Sequence, residues 1–172
     1  MNGILRAARG SGLLLVTAGV VLVLDQVTKH AATAYLGPGG QEERLNIVGS
    51  WVRLAYVTNS GAAFGVLQDR TLLFSIIAFL AIPVLLVFYN YLPGDSFIPR
   101  FCVGLLLGGT LGNLIDRIRF GYVVDFIDMG YGHLRWPTYN VADSAFVIGV
   151  FILAFYLTFL STGRAKQSAT SE

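Results

Sequence analysis

Apolar residues run along this chain in four long blocks, from about Ser11 to Tyr35, Leu72 to Leu92, Phe97 to Ile118 and Thr138 to Ser161. A helix crossing the roughly 30 Å hydrocarbon core of a bilayer needs roughly 20 residues, and each block meets that length. Gly37-Pro38-Gly39-Gly40 closes the first block, Pro93-Gly94 the second and Gly121 the third. Pro83 lies inside the second and is expected to kink it, which a membrane helix tolerates when neighbours re-satisfy the freed carbonyl. Between the first two blocks the period changes. From Leu45 to Thr58, and most clearly from Trp51 onward, β-branched and aromatic residues partly alternate with polar ones, as on a strand with one wetted face. Asp128 to Pro137, with Tyr131, Trp136 and two glycines, reads as a short flap at headgroup level, where aromatic rings anchor.

Composition makes the membrane reading firm. Of 172 residues, 55% are hydrophobic and 13% charged, too little charge to cover a soluble surface. A net charge of +2 with no long basic run excludes a nucleic-acid partner. Cys102 stands inside an apolar block, so no intrachain disulfide or thiolate metal cluster can form. Arg6 and Arg9 ahead of Leu13 to Leu24, with Ala32-Thr-Ala34 behind, imitate a signal peptide. Asp25, Gln26, Lys29 and His30 fall between that run and the apparent cleavage site, which favours a retained first span. Arg6 and Arg9 before span one, Arg100 between spans two and three, and Arg164 and Lys166 after span four place both termini in the cytoplasm. Arg44, Arg53, Arg70, Arg117, Arg119 and Arg135 then fall on the outer side. The polar tail Gln167 to Glu172 is expected to fray.

Against this apolar background the acids stand out. Asp116, Asp125 and Asp143, with Asn113 and Asn140, edge the third and fourth spans. A charged side chain at the bilayer centre costs at least about 2.5 kcal/mol, so such groups face a protein interior or a wet cavity. Helical spacing puts Asn113 and Asp116 on one face, and Asn140 and Asp143 on one face of the next span. Asp125, beyond the breaker Gly121, can fold back over the same opening. Two carboxylates in one wet pocket share a proton, because like charges at contact resist ionising together. Such a pair can activate water against a peptide carbonyl and protonate the departing amine.

Each residue also has a plainer reading. Asn140 and Asp143 after Pro137 look like a helix-capping box, Asp116 can pair with Arg117, and Asp25 can pair with Lys29 four residues on. Asn59-Ser-Gly61-Ala-Ala-Phe-Gly65 reads as a turn, and Gly104, Gly108 and Gly112 form a smooth stripe for helix packing. Other protease chemistries lack their residues. There is no His-Glu-x-x-His, His30 and His133 lie on different pieces of the chain, and no Gly-x-Ser-x-Gly surrounds Ser60, Ser75, Ser96 or Ser144. A proton-coupled carrier is the rival, since intramembrane acids also mark ion paths, but four short spans without repeated halves argue against it. A noncatalytic scaffold is the third reading.

Five motifs, in order, are Asp25-Gln-Val-Thr-Lys29, Asn59-Ser-Gly-Ala-Ala-Phe64, Gly112-Asn-Leu-Ile-Asp-Arg117, Val123-Val-Asp-Phe126 and Asn140-Val-Ala-Asp-Ser144. In them the chain resembles, over nearly its whole length, the lipoprotein signal peptidases, or signal peptidase II, aspartic membrane enzymes of bacteria. The resemblance implies an α-helical membrane protein forming a single peptidase domain over residues 1–172. Its four transmembrane helices would carry an extracytoplasmic β-cradle at about 40–70 and a periplasmic flap at about 121–137. It implies Asp125 and Asp143 as the catalytic dyad, and Asn59, Asn113, Arg117 and Asn140 as polar residues lining the substrate pocket. Asp116 matches a supporting carboxylate and Asp25 an acidic position of the first motif. The implied substrates are diacylglyceryl-modified prolipoproteins, cut before the lipidated cysteine near the outer face of the bacterial inner membrane. A monomer with no metal or cofactor, bound otherwise only by membrane lipid, is expected. Ser60 stands where the family often has threonine and Tyr139 where it often has phenylalanine, and neither is a carboxylate. Cys102 follows Arg100-Phe101, which is no lipobox, so the chain is not expected to be a lipoprotein itself.

Overall fold

A glycine stripe on one helix decides how closely the others approach it. The chain folds into α1 (Asn2–Leu36), α2 (Thr71–Asn90), α3 (Phe97–Phe120) and α4 (Val141–Phe155), the last extended by a π-helical turn at Tyr156–Leu160. The structure, a computed structural model, describes residues 2–61, 70–92 and 97–160, without the side chains of residues 2–10. The later part of the Asn59 to Gly65 turn, the Pro93-Gly94 breaker and the polar tail lie outside the described residues. A Cβ at Gly104, Gly108 or Gly112 would come 2.7 Å from Thr17 Cβ, 2.7 Å from Val21 Cβ and 2.5 Å from Asp25 Oδ2, respectively. Those α1 partners are also spaced by four, so the two helices mesh turn by turn at a separation no larger residue permits. Gly109 does the same toward α4, where a Cβ would meet the Ala142 carbonyl at 2.4 Å.

The result is a bundle with α3 at its centre. Most of α3 from Pro99 to Asp116 is buried, whereas α2 buries no residue. Large apolar side chains point outward, with Leu72 74% and Phe151 71% exposed, as expected where the surrounding solvent is hydrocarbon. All four helices are long and apolar enough to cross a membrane. Helix ends differ from the sequence expectation most at α1, which begins at Asn2, nine residues ahead of the apolar block, and by three residues at the start of α4. Helix α4 starts at Val141 rather than near Thr138, because Pro137 precedes an extended Asn140 whose side chain caps the helix.

At the end of the bundle where α3 finishes and α4 begins sits an antiparallel sheet of order β1 (Arg44–Val48), β2 (Val52–Asn59), β3 (Val123–Tyr131), β4 (Leu134–Arg135). The small sheet expected from Leu45 to Thr58 is present, its first two strands meeting at a turn at Gly49, whose φ of 52° favours glycine. The stretch 121–137, read as a flap, is built largely into the sheet. Gly121, at φ 79°, closes α3 by giving its amide to the Arg117 carbonyl at 3.0 Å, and Val123, Val124 and Phe126 then bury themselves. Flap-like exposure is confined to the hairpin end, where Leu134 is 86% exposed. Asp128 clasps this hairpin to β2, accepting from Arg53 and Arg135 at 2.6 Å each.

A bulge in β2 sets up the site. Leu54 pairs with Ile127 and Val57 with Asp125, so Ala55 and Tyr56 face Phe126 alone. The amides of Phe126 and Ile127 turn instead to the Tyr139 carbonyl, at 3.0 and 2.8 Å, and Tyr139 returns its amide to Ile127 at 3.1 Å. This stitches the segment ahead of α4 to β3 and brings Asn140 beside Asp125.

Candidate active site

Asp125, on β3, is 2% exposed. Its Oδ2 accepts from Asn59 Nδ2 at 2.9 Å and its Oδ1 from Asn140 Nδ2 at 2.7 Å. Asp143, in the first turn of α4, divides its oxygens between two tasks. Oδ2 accepts the Asn140 backbone amide at 3.3 Å while Asn140 Oδ1 accepts the Asp143 amide at 2.9 Å, completing a capping box. Oδ1 accepts from Asn113 Nδ2 at 2.7 Å. Asn140 Nδ2 also donates to Asn113 Oδ1 at 3.1 Å, so Asp125, Asn140, Asn113 and Asp143 form one hydrogen-bonded chain. The capping reading of Asp143 and the pocket reading therefore both hold.

Both aspartates line one cavity of about 980 Å³, together with Asn59, Asn113 and Arg117. The rest of its wall is mostly apolar, with Phe74, Ile77 and Ala81 on α2 and Phe146 and Val147 on α4. Burial, and then the neighbouring charge of Asp143, push the Asp125 carboxyl up to about 7, against the opposing hydrogen bonds from Asn59 and Asn140 and the charge of Lys29.

Beneath this pair lies a second polar layer. Lys29 Nζ sits 2.9 Å from Asp25 Oδ2 and 2.9 Å from Asp116 Oδ2. Asp25, Lys29 and Asp116 are all buried. Asp25 Oδ1 accepts the backbone amide of Ala142 at 2.9 Å, and Asp116 Oδ2 accepts that of Val124 at 3.2 Å. Those amides belong to the residues immediately before Asp143 and Asp125. Each lower carboxylate thus pins the backbone that carries one upper aspartate, and the cation between them offsets the cost of their buried charge.

A model of the family described as signal peptidase (SPase) II matches residues 17–159. The chain belongs to the signal peptidase II family. The lipoprotein signal peptidase of Moorella thermoacetica is 45% identical over 143 residues, covering 83% of this chain and 91% of that one. That of Syntrophotalea carbinolica is 42% identical over 144 residues, covering 82% and 88%. A solved bacterial membrane enzyme superposes with a TM-score of 0.74 at 30% identity, covering 85% of this chain and 87% of that one. The chain is accordingly a multi-pass membrane peptidase of the signal peptidase II family, and all five motifs read from the sequence fall inside the matched region.

Within this signal peptidase II fold the structure brings Asp25, Asn59, Asn113, Asp116, Asp125, Asn140 and Asp143 into one connected network. Arg117 lies on the cavity wall, but the Asp116–Arg117 ion pair is not formed among the described residues. Neighbouring helical positions point about 100° apart, and Asp116 turns inward to Lys29 while the Arg117 guanidinium lies 5.5 Å from the Phe74 ring centre. The expected Asp25–Lys29 pair is present but is only part of the cluster. Sequence reading missed the reach of Lys29 and of Gln26, whose Nε2 donates to Asp116 Oδ1 at 3.0 Å. The available signal was three adjacent polar positions, 25, 26 and 29, on a span whose own helix cannot satisfy them all.

Proposed function

We propose that this signal peptidase II family member is an aspartic endopeptidase that removes signal peptides from diacylglyceryl-modified prolipoproteins, cutting on the N-terminal side of the lipidated cysteine. The observation that carries this reading is the placement of Asp125 and Asp143 on the wall of one otherwise largely apolar cavity. Asp143, at the positive end of α4 and held by Asn113, is the ionised partner, and Asp125, pushed up by burial, is the neutral one. Asp143 takes a proton from a water held between the two while the water oxygen attacks the scissile carbonyl carbon. Asp125 gives its proton to the carbonyl oxygen, forming a tetrahedral diol. Collapse of the diol breaks the C–N bond as Asp143 returns its proton to the cysteine nitrogen, and the second hydroxyl proton goes back to Asp125. No metal or cofactor enters these steps.

Asn59 and Asn140 hold Asp125, Asn113 holds Asp143, and Asp25 and Asp116 fix the backbone beneath them. Arg117, whose Nε has no partner among the described residues, is the group on this wall suited to a substrate carbonyl. The network joining these residues runs from α1 to α4, which supports a single functional domain, and a monomer is proposed as the working form. The positive-inside distribution supports cytoplasmic termini in the bacterial inner membrane, with the sheet, the hairpin tip as flap and the dyad near the outer face.

A diacylglyceryl-modified lipobox peptide in detergent tests the proposal. Asp125→Asn and Asp143→Asn are each expected to leave a folded protein that binds the peptide and leaves it intact. Full cleavage by either variant refutes the dyad.

A further inference from the structure

The three asparagines that touch the dyad each have to present an N–H, not a C=O, to a carboxylate. Two of them are oriented by a backbone donor. Asn59 Oδ1 accepts the Gly61 amide at 3.0 Å, which leaves its Nδ2 for Asp125, and Asn140 Oδ1 accepts the Asp143 amide at 2.9 Å, which leaves its Nδ2 for Asp125 and Asn113. A backbone amide can only donate, so these side chains have one acceptable orientation. No described backbone amide performs this service for Asn113. Its Oδ1 is held by Lys29 Nζ at 2.9 Å and by Asn140 Nδ2 at 3.1 Å. Turned over, Asn113 would aim its two N–H bonds at an ammonium that has no acceptor and its oxygen at the Asp143 carboxylate, two repulsions in one move.

We propose that Lys29 is a positioning residue for the reaction: its ammonium, clamped between Asp25 and Asp116, locks the amide of Asn113 so that Asn113 always donates to Asp143. The inference rests on the dyad reading above. Lys29 touches no substrate and acts through Asn113. The charged or titratable groups around the lock are Asp25 on α1, Asp116 and Arg117 on α3, Asp125 on β3 and Asp143 on α4. Among them Lys29 supplies positive charge from beneath the pair, while Arg117 lies on the cavity wall. Removing Lys29 both frees Asn113 to turn and withdraws a charge that favours ionised carboxylates, so the acid limb of the rate profile moves to higher pH.

The test uses the full chain in detergent and the diacylglyceryl-modified lipobox peptide, with kcat and KM followed against pH and folding followed by thermal unfolding. Lys29→Met is expected to lower kcat by about 10- to 100-fold with KM little changed, the size of loss a misaligned catalytic group produces, and to shift the acid limb upward. Lys29→Arg, which keeps charge and donors, is expected to recover most of kcat. A folded Lys29→Met with unchanged kcat and pH limbs overturns the proposal. So does a loss of kcat with unmoved limbs and no recovery in Lys29→Arg, the pattern of a packing defect.

If Lys29→Met does not fold, Lys29→Met/Asp116→Asn removes one charge of each sign and keeps the cluster's balance. Its kcat is expected to fall well below that of Asp116→Asn alone. Equal rates overturn the proposal, and so does a double variant that cannot fold while Asp116→Asn can, since Lys29 is then a folding residue only. Asp125→Asn and Asp143→Asn run alongside separate the two readings. Active dyad variants sink the dyad itself, whereas inactive dyad variants beside a normal Lys29→Met sink only the lock.

Discussion

At the scale of single residues, the two aspartates differ by what surrounds them. Asp125 is walled in on a strand, and its carboxyl is pushed up to about 7, first by burial and then by Asp143. If Asp125 works as the neutral partner, the rate falls as pH rises through about 7 and Asp125 loses its proton, and it falls again in acid when Asp143 gains one. The Asn59 hydrogen bond favours ionised Asp125, so Asn59→Ala is expected to raise that carboxyl further and carry the alkaline limb of kcat upward, at reduced kcat. An alkaline limb that stays put in Asn59→Ala would show that another group controls it. The identity of these residues was legible in the chain because carboxylates and carboxamides stand out in apolar spans where they are costly. Asp143 was ambiguous only because one residue was asked to have one role, and its two oxygens have two. The Asp25–Lys29 pair was legible from its spacing of four, but the reach of Lys29 to Asn113 was not, since that partner lies 84 positions away and nothing local announces the contact.

At the scale of elements, hydrophobic block length located α2, α3 and α4 to within a few residues, because that signal is summed over each whole span, while α1 runs nine residues further back than its apolar block, to Asn2. The strand Val123–Tyr131 was harder to see: Val123, Val124, Asp125 and Phe126 are all buried, so it lacks the alternation that betrays a strand. The glycine stripe was read as packing, and its endpoint ties packing to the site. A Cβ at Gly112 would stand 2.5 Å from Asp25 Oδ2 and 3.1 Å from Ala142 Cβ, whereas at Gly104 it would press on Thr17, far along α1 from Asp25. Gly112→Ala and Gly104→Ala are therefore expected to lose similar stability, about 1–3 kcal/mol by thermal unfolding in detergent, as overpacked sites do. They should part in rate. Gly112→Ala displaces the carboxylate that pins the Ala142 amide and is expected to lose kcat, while Gly104→Ala keeps it. Equal rates in the two variants would mean that the Asp25 clamp does not govern the geometry of Asp143.

At the scale of the whole molecule, the proposed lipid-anchored substrate has to reach carboxylates at the end of a bundle. The cavity wall is shared by α2 and α4, and a second apolar hollow continues it toward Leu80, Val84 and Val150 with Leu106 on α3. α2 buries none of its residues, so little protein packing has to be broken to exchange whatever lies along it. Ala78 and Ala81, one turn apart, keep that side of α2 low. A lipid-anchored substrate with an apolar signal segment fits such a path better than an approach from water, since neither its acyl chains nor its segment would leave an apolar environment. Ala81→Trp fills the path without touching a carboxylate. For the lipidated peptide it is expected to raise KM about tenfold, equivalent to about 1.4 kcal/mol of binding, with kcat within a few-fold and thermal stability unchanged. Leu86→Trp, on an exposed part of α2 outside both hollows, is the matched control and is expected to change neither constant. If Ala81→Trp leaves KM where Leu86→Trp does, the substrate does not pass between α2 and α4, and entry must be sought on the side of the sheet.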